Sequence, residues 1–472
     1  MELAKSSIIL FLRMTADETD NKIITFGCRL NAFESEAIKN AVAESGEKNL
    51  IVFNSCAVTS QAEKDLRSSI RKARKENPHA KIVVTGCAAQ IDPQKYAKMA
   101  EIDLVLGNIE KSSSKSYKSD FKITKNSAKN VNENLEILHK DAIFDNHQKS
   151  KNNFITDEEH SKIKVNDIMS VRDTAPQLVS YFENQTRAFL EIQNGCNHRC
   201  TFCIIPYGRG NSRSVPLGEI VKQSQKMVEA GHKEIVLTGV DISDYGKDLP
   251  IPITLSQMIR RLLKAVPDLV RLRLSSVDVA EIDEEFFEIL ASESRLMPYL
   301  HLSVQAGDDK ILKQMKRRHN RQNILDFCEK ARKIRPEMTF GADIIAGFPT
   351  ENDAMFQNSL SLISEADLIF THIFPYSSRE GTPASKMPQL EQKIIKERAK
   401  ILREAGSAQL QKYLQKQIGH EFEVLLEKNN LGKTRNFLDV EIISDEKNKL
   451  QKGNIYLLKI NKIKNNLLIA NQ

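Results

Sequence analysis

Short apolar, β-branched runs alternate with longer amphipathic stretches through most of the chain. Runs at 22–28, 49–56, 80–87 and 102–106 read as strands, and the periodic stretches at 33–45 and 61–76 read as helices. Such alternation predicts a parallel sheet, here over residues 20–110. The alternation resumes near residue 187. Strands are expected at 188–193, 234–238, 270–274, 299–304, 340–345 and 369–374, with helices at 217–230, 255–265, 284–291, 323–334 and 354–363. Six βα units over about 200 residues suit an open, partial (β/α)6 barrel, because an eight-unit barrel takes about 250. This second unit is expected to span 181–417 and to close with a long charged helix at 389–416. The fold class is therefore α/β.

The period changes again over 418–472. Runs at 421–426, 439–443 and 454–460 read as short strands between Asn, Gly and Lys turns, which predicts a small antiparallel β-barrel. Its lysines suit either a solvated surface or an RNA-binding face. Residues 111–180 are expected to be a polar linker or insertion. Lys, Ser and Asn dominate there and glycine is absent over 111–170, too polar a composition for a separate core. A brief apolar run at 135–138 is expected to dock locally.

Composition narrows the class. The 472 residues suggest about three domains. No apolar run approaches the roughly 18 residues of a membrane span. The run at 8–12 lacks a small-residue cleavage site and makes a poor export signal, and Met14 is an alternative start. A net charge of +7 permits an anionic partner without requiring one. Seven cysteines, an odd number in a long chain, do not fit a secreted disulfide framework. The expected setting is a reducing cytoplasm, where clustered thiols are metal ligands or catalytic groups.

Cys28, Cys56 and Cys87 each end a predicted strand of the first sheet. Parallel strands deliver their carboxyl ends to one edge, so the three thiols should converge. A single strand-end cysteine is more often inert core; three at matching positions, two of them in Gly-Cys turns, point to ligation. Cys328 lies beside Phe327 in a helical pattern and reads as core. The sharpest signal is Cys196-Asn197-His198-Arg199-Cys200-Thr201-Phe202-Cys203, a C-x3-C-x2-C loop at the carboxyl end of the first barrel strand. Three thiolates can hold three irons of a 4Fe–4S cube and leave the fourth iron open. Zinc, with His198 as a fourth ligand, is the competing metal. Lys316 to Arg321 is either a solvated charge run or a phosphate contact.

The loop resembles the signature of radical S-adenosylmethionine enzymes, whose aromatic residue before the third cysteine is here Phe202. Gly27-Cys28-Arg29-Leu30-Asn31, Asn54-Ser55-Cys56-Ala57-Val58-Thr59 and Gly86-Cys87-Ala88-Ala89-Gln90 resemble the three amino-terminal cysteine motifs of the methylthiotransferase family. Ile192 to Cys196, Cys203 to Gly210, Leu302 to Asp308, Gly341 to Thr350 and Phe374 to Ser377 are similar to further motifs of that family. The tail resembles the TRAM domain, a small RNA-binding barrel. Gly27 to Asn31 and Met315 to His319 look most like the branch acting on tRNA threonylcarbamoyladenosine at position 37. Ser55, Asp241 and Ser243 depart from the residues usual at their positions.

The resemblance implies two 4Fe–4S clusters. Cys196, Cys200 and Cys203 would hold the one that cleaves S-adenosylmethionine to a 5′-deoxyadenosyl radical, and so count as catalytic. Cys28, Cys56 and Cys87 would hold the one carrying the sulfur. Phe202, Asp343 and Gly347 would line the cofactor pocket, although a turn-forming role also suits Gly347. The implied product is a methylthio group at carbon 2 of an anticodon-loop adenosine, with S-adenosylmethionine as methyl donor and radical source. An external electron donor is expected; a membrane or DNA partner is not. Two alternatives stay open: another acceptor, either isopentenyladenosine in tRNA or a ribosomal protein, and a noncatalytic metal-containing RNA-binding protein.

Overall fold

The computed structural model describes residues 13–16, 21–118, 162–172, 186–428, 430–443 and 450–471. The runs at 8–12 and 135–138 lie outside these residues. The first sheet has six strands in sequence order: Arg13–Ala16, Lys22–Thr25, Leu50–Ser55, Lys81–Gly86, Leu104–Leu106 and Ile163–Lys164. All pairings are parallel except the first. Both faces are covered. Leu50 and Val52 pack with Ile38, Ala41 and Val42 of the helix Arg29–Ser45. Ile51 and Phe53, one residue out of phase, pack with Leu66, Ile70 and Ala73 of the helix Ser60–Glu76.

The stretch expected to be a polar linker contributes to this sheet at both ends. Ile163, Val165 and Ile168 are buried, and the last strand pairs with Leu104–Leu106. Lys111, read as part of a solvated run, is wholly buried because it pairs with the buried Glu34 at 2.7 Å. Tyr117 is buried too, and its hydroxyl donates to the Lys111 carbonyl.

The second unit is an open barrel. Arg187–Glu191, Glu234–Thr238 and Arg271–Leu274 form one parallel sheet. Ser276–Val277, one residue on, starts a second with Tyr299–Gln305, Thr339–Ala346 and Leu368–Pro375. Alternate strand positions divide the two surfaces. Leu300, Leu302, Phe340 and Ala342 join the apolar layer under the helices, while Tyr299, His301, Gly341 and Asp343 face the other way. Phe33 and Ala37 of the helix Arg29–Ser45 share the same apolar core, so the first unit packs directly on the barrel.

The tail is a closed five-stranded barrel. Leu431–Thr434 falls in a segment read as a turn and Leu467–Asn471 lies beyond the last strand read from the sequence; Asp439–Ile443 pairs with Leu467–Asn471 in parallel. This barrel sits against the amino-terminal ends of the open barrel's strands. Arg271 donates to the Lys433 and Glu423 carbonyls, Thr339 to the Asn436 carbonyl, and Arg187 pairs with Glu427 at 2.5 Å. Phe437 stacks on Tyr299 at 4.5 Å. Its φ of 75° is rare for an aromatic residue. No helix among the described residues is long and apolar enough to cross a membrane.

Candidate functional site

The first cysteine trio is gathered by its backbone turns. Cys28 stands just ahead of the helix Arg29–Ser45, and Cys87 is the first residue of the helix Cys87–Ile91. Gly27 turns at φ +107°, where a Cβ would lie 2.8 Å from the Cys56 Cβ and 3.0 Å from its Sγ. Gly86 turns at φ +92°, and a Cβ there would overlap the Ser55 backbone. Only glycine permits these approaches. Ser55 holds the third turn in place, its hydroxyl accepting from the Ala88 and Ala89 amides at 3.2 and 3.3 Å.

A buried guanidinium joins this trio to the cysteine loop's own flank. Arg209 Nε lies 3.1 Å from Cys87 Sγ, and its terminal nitrogens donate to Asn31 Oδ1 at 2.6 Å and to both Glu34 oxygens. Asn31 in turn donates to the Phe26 and Ser55 carbonyls, and the Cys28 thiol lies 3.6 Å from its Oδ1. One network thus touches the turns that carry all three cysteines. In the sequence Arg209 stands within the stretch Cys203 to Gly210, and a cation between two glycines beside the cysteine loop is its signal there.

The second trio lies in the loop after Gln193–Asn194. Gln193 anchors it, donating to the Gly195 carbonyl and accepting from the Val240 and Asp241 amides. Thr201 is pinned through its hydroxyl to the Gln314 carbonyl, and its own carbonyl accepts from the Ala384 amide. Phe202 packs edge-on against Phe348 at 6.4 Å, in an apolar cluster with Ile345, Met315 and Tyr376. Arg317 points a terminal nitrogen at Cys200 Sγ, 3.6 Å away, while pairing with Asp278 at 2.9 Å.

The charge run at 316–321 is divided: Lys316, Arg318 and Asn320 are exposed, whereas Arg317 and His319 turn inward. His319 is buried between Asp278 and the Val304 carbonyl, and Arg321 donates to the Gly307 carbonyl. The local reason is Asp278, a buried carboxylate that needs cationic partners.

Burial raises the thiol pKa of Cys28 and Cys196, and lifts Cys56 and Cys203 to about 12; neighbouring thiols add to this at each, as does Asp241 at Cys196. Such thiols release protons when a metal arrives. Among the described residues, the metal-competent groups whose ligand atoms all lie within 4.8 Å are Cys196 with His198 and Asp241, and His301 with Asp343 and His372; neither cysteine trio is among them. Tetrahedral zinc would draw its thiolates to about 3.8 Å apart, given Zn–S bonds near 2.3 Å. A cube spreads its thiolates over separate irons, so the wider spacing fits it better. His198 is instead clamped by Asp241 at 2.9 Å, which gives that departing residue a structural task.

Asp343 lies at the centre of a polar layer. Its Oδ1 meets His301 Nε2 at 2.9 Å and His372 Nδ1 at 3.2 Å, and His301 Nδ1 meets the Tyr299 hydroxyl at 3.0 Å. Burial alone would raise the Asp343 carboxyl; His301 and His372 outweigh it and hold it below the usual range. Sequence reasoning found Asp343 but not its partners, although Tyr299, His301 and His372 are polar interruptions of apolar strands. Gly347 turns at φ +72° with its amide donating to Glu351, and a Cβ there would meet Ile395 at 2.7 Å. Cys328 is buried in the barrel core, as expected.

Comparison with known proteins agrees with this architecture. Residues 190–363 match the radical SAM superfamily model, and residues 21–107 match that of uncharacterized protein family UPF0004. The open barrel with its cysteine loop is thus a radical SAM domain. A threonylcarbamoyladenosine tRNA methylthiotransferase, MtaB, of Rickettsia prowazekii is 52% identical over 421 residues, covering 89% of this chain and 91% of that protein. The MtaB of Aquifex aeolicus is 35% identical, covering 88% and 95%. A tRNA-2-methylthio-N(6)-dimethylallyladenosine synthase of Neorickettsia sennetsu is 30% identical, covering 91% and 88%. The chain belongs to the radical S-adenosylmethionine methylthiotransferase family. Among solved structures, the radical S-adenosylmethionine methyltransferase TsrM of Kitasatospora setae, with cobalamin and a [4Fe–4S] cluster bound, aligns with a TM-score of 0.48 at 14% identity, over 75% of this chain and 70% of that one.

Proposed function

We propose that this protein inserts a methylthio group at carbon 2 of N6-threonylcarbamoyladenosine at position 37 of tRNA. Cys196, Cys200 and Cys203 would hold one 4Fe–4S cluster, and Cys28, Cys56 and Cys87 the other. Bound there, the two clusters and S-adenosylmethionine supply the electron, the radical, the sulfur and the methyl group. The observation that carries this reading is the Arg209 bridge, which ties the flank of one cysteine loop to the sulfur of the other trio.

The chain's own residues then have definable tasks. Arg209 and Arg317 place positive charge beside the Cys87 and Cys200 sulfurs, where it would offset the negative charge of a thiolate-ligated cluster. Asp343, fixed by two histidines, and Phe202, fixed by Phe348, would line the cofactor space, with Gly347 turning the chain beneath it. Phe437 would seal the far end of the barrel against water. The closed tail barrel would bind the tRNA through its lysines, and an external donor would supply electrons. The reading places the enzyme in the cytoplasm, where thiols stay reduced.

The test is nucleoside analysis of tRNA from cells with and without the gene, beside anaerobic reconstitution of the purified chain. Loss of the methylthio form of threonylcarbamoyladenosine and about eight irons per chain are expected, as two cubes require. Loss of the isopentenyl counterpart instead would overturn the acceptor. Bound zinc without S-adenosylmethionine cleavage would overturn the chemistry. Cys200→Ala should abolish that cleavage, whereas Cys56→Ala should retain some and lose sulfur insertion.

A further inference from the structure

Arg29 directly follows Cys28, and its side chain enters the open barrel. It lies beside Tyr299, Arg187, Arg273 and Glu234, and close enough to His301 to bear on its charge. Its guanidinium is 5.8 Å from the centre of the Phe437 ring. Three other cations surround that ring: Arg187, Arg273 and Lys433. Each of those three has a carboxylate partner, Glu427, Glu234 and Asp439 respectively, at 2.5–2.7 Å. No hydrogen bond or ion pair holds Arg29 among the described residues.

That imbalance is costly unless something anionic completes it. A guanidinium set deep in a protein without a counter-ion forfeits its hydration, and two further arginines nearby add repulsion. Arg29 nevertheless stays partly open to solvent, as does Cys28 beside it. A group both deeply set and reachable by water lies on the wall of a chamber, not in packed core. Arginine's planar fork suits the two oxygens of a carboxylate.

We propose that Arg29 binds the carboxylate of the threonylcarbamoyl arm and so sets which modified adenosine this enzyme accepts. The assignment rests on the acceptor proposed above. Carbon 2, the reacting atom, and carbon 6, which bears the arm, flank the same ring nitrogen of adenine. The arm ends in the nucleoside's one carboxylate. A residue immediately after a thiol that would hold the sulfur-bearing cluster is within a side chain's length of that arm. Arg29 acts on specificity and takes no part in the bond changes.

The test uses the reconstituted full-length enzyme and two anticodon stem-loops of one sequence. One carries threonylcarbamoyladenosine, and the other carries the same arm with its carboxylate converted to a primary amide. Formation of the methylthio product is followed at equal iron content per chain. The wild type should favour the acid over the amide in kcat/KM by about 10- to 100-fold, the range of a charge-assisted hydrogen bond. Arg29→Gln should bring that ratio close to one, and Arg29→Lys should restore part of it. An unchanged ratio in Arg29→Gln overturns the role of Arg29 alone, including the case where it binds a backbone phosphate and slows both RNAs equally. A raised KM for S-adenosylmethionine with the ratio preserved assigns Arg29 to the cofactor and also overturns it. Turnover of an isopentenyladenosine stem-loop, with neither test RNA modified, overturns the acceptor reading and this one with it.

Discussion

The guanidinium of Arg209 lies 3.1 Å from the sulfur of Cys87, across the boundary between the first sheet and the barrel. The same group also grips Glu34, which pairs with Lys111. Two buried cations thus share one buried carboxylate, and one of them also faces a thiol.

Removing Arg209 should therefore damage stability and metal loading together. Arg209→Met leaves Glu34 with Lys111 alone and is expected to cost about 3 kcal/mol, typical of breaking a buried ion pair. Arg209→Lys keeps the charge but loses the fork, and should recover only part of this. Urea melts and iron content per chain check both variants. Stability within about 0.5 kcal/mol of wild type would refute the network's importance.

Glu191 makes stability depend on pH. Burial, reinforced by Glu34, pushes its carboxyl up to about 7, and Asn194 donates to its Oε1 at 2.9 Å. The ordinary glutamate value is about 4.3. Between those values the folded chain keeps a proton that the unfolded chain has released. Stability from this group is therefore highest at low pH and falls as pH rises from about 4.3 to about 7, by on the order of 3 kcal/mol in all. Glu191→Gln should flatten that part of the stability profile, measured by thermal melts of the metal-free chain across pH.

Gly341 makes room for the histidine layer. A Cβ there would lie 2.5 Å from His301 Nδ1 and 2.6 Å from the Tyr299 hydroxyl. Gly341→Ala should cost about 1–3 kcal/mol, as overpacking does, and Tyr299→Phe in the same chain should recover part of it by removing the crowded oxygen. Double-mutant melts measure the coupling; strict additivity would speak against a shared clash.

Phe437 couples the two barrels. Phe437→Ala removes the stacking on Tyr299 and the contacts with four cations, and should cost about 3 kcal/mol. Phe437→Gly should be milder by about 1 kcal/mol, because glycine accepts the residue's φ of 75° without strain. Calorimetry should show the tail barrel melting separately in both variants.

Much of the frame was legible because its signals are local. Strand-end cysteines follow from sheet periodicity and topology, and the C-x3-C-x2-C loop is a contiguous motif. What stayed hidden depends on partners distant in sequence. Lys111 looks solvated until Glu34 is placed beside it. Arg317 and His319 look like a surface charge run until Asp278 is buried between them. His301 and His372 become a pair only when their strands flank that of Asp343 in register. The strands Leu431–Thr434 and Leu467–Asn471 were missed because they are short and neighbour turn-forming Asn and Gly residues.

The seat of Phe437 in the larger barrel also fixes a length. Because the tail is bolted to the floor of that barrel instead of swinging on a tether, anything it grips is held at a constant span from the six sulfurs. Under the proposed reading such a tail would work as a ruler, selecting a nucleoside by its place along the RNA before any side chain inspects its base.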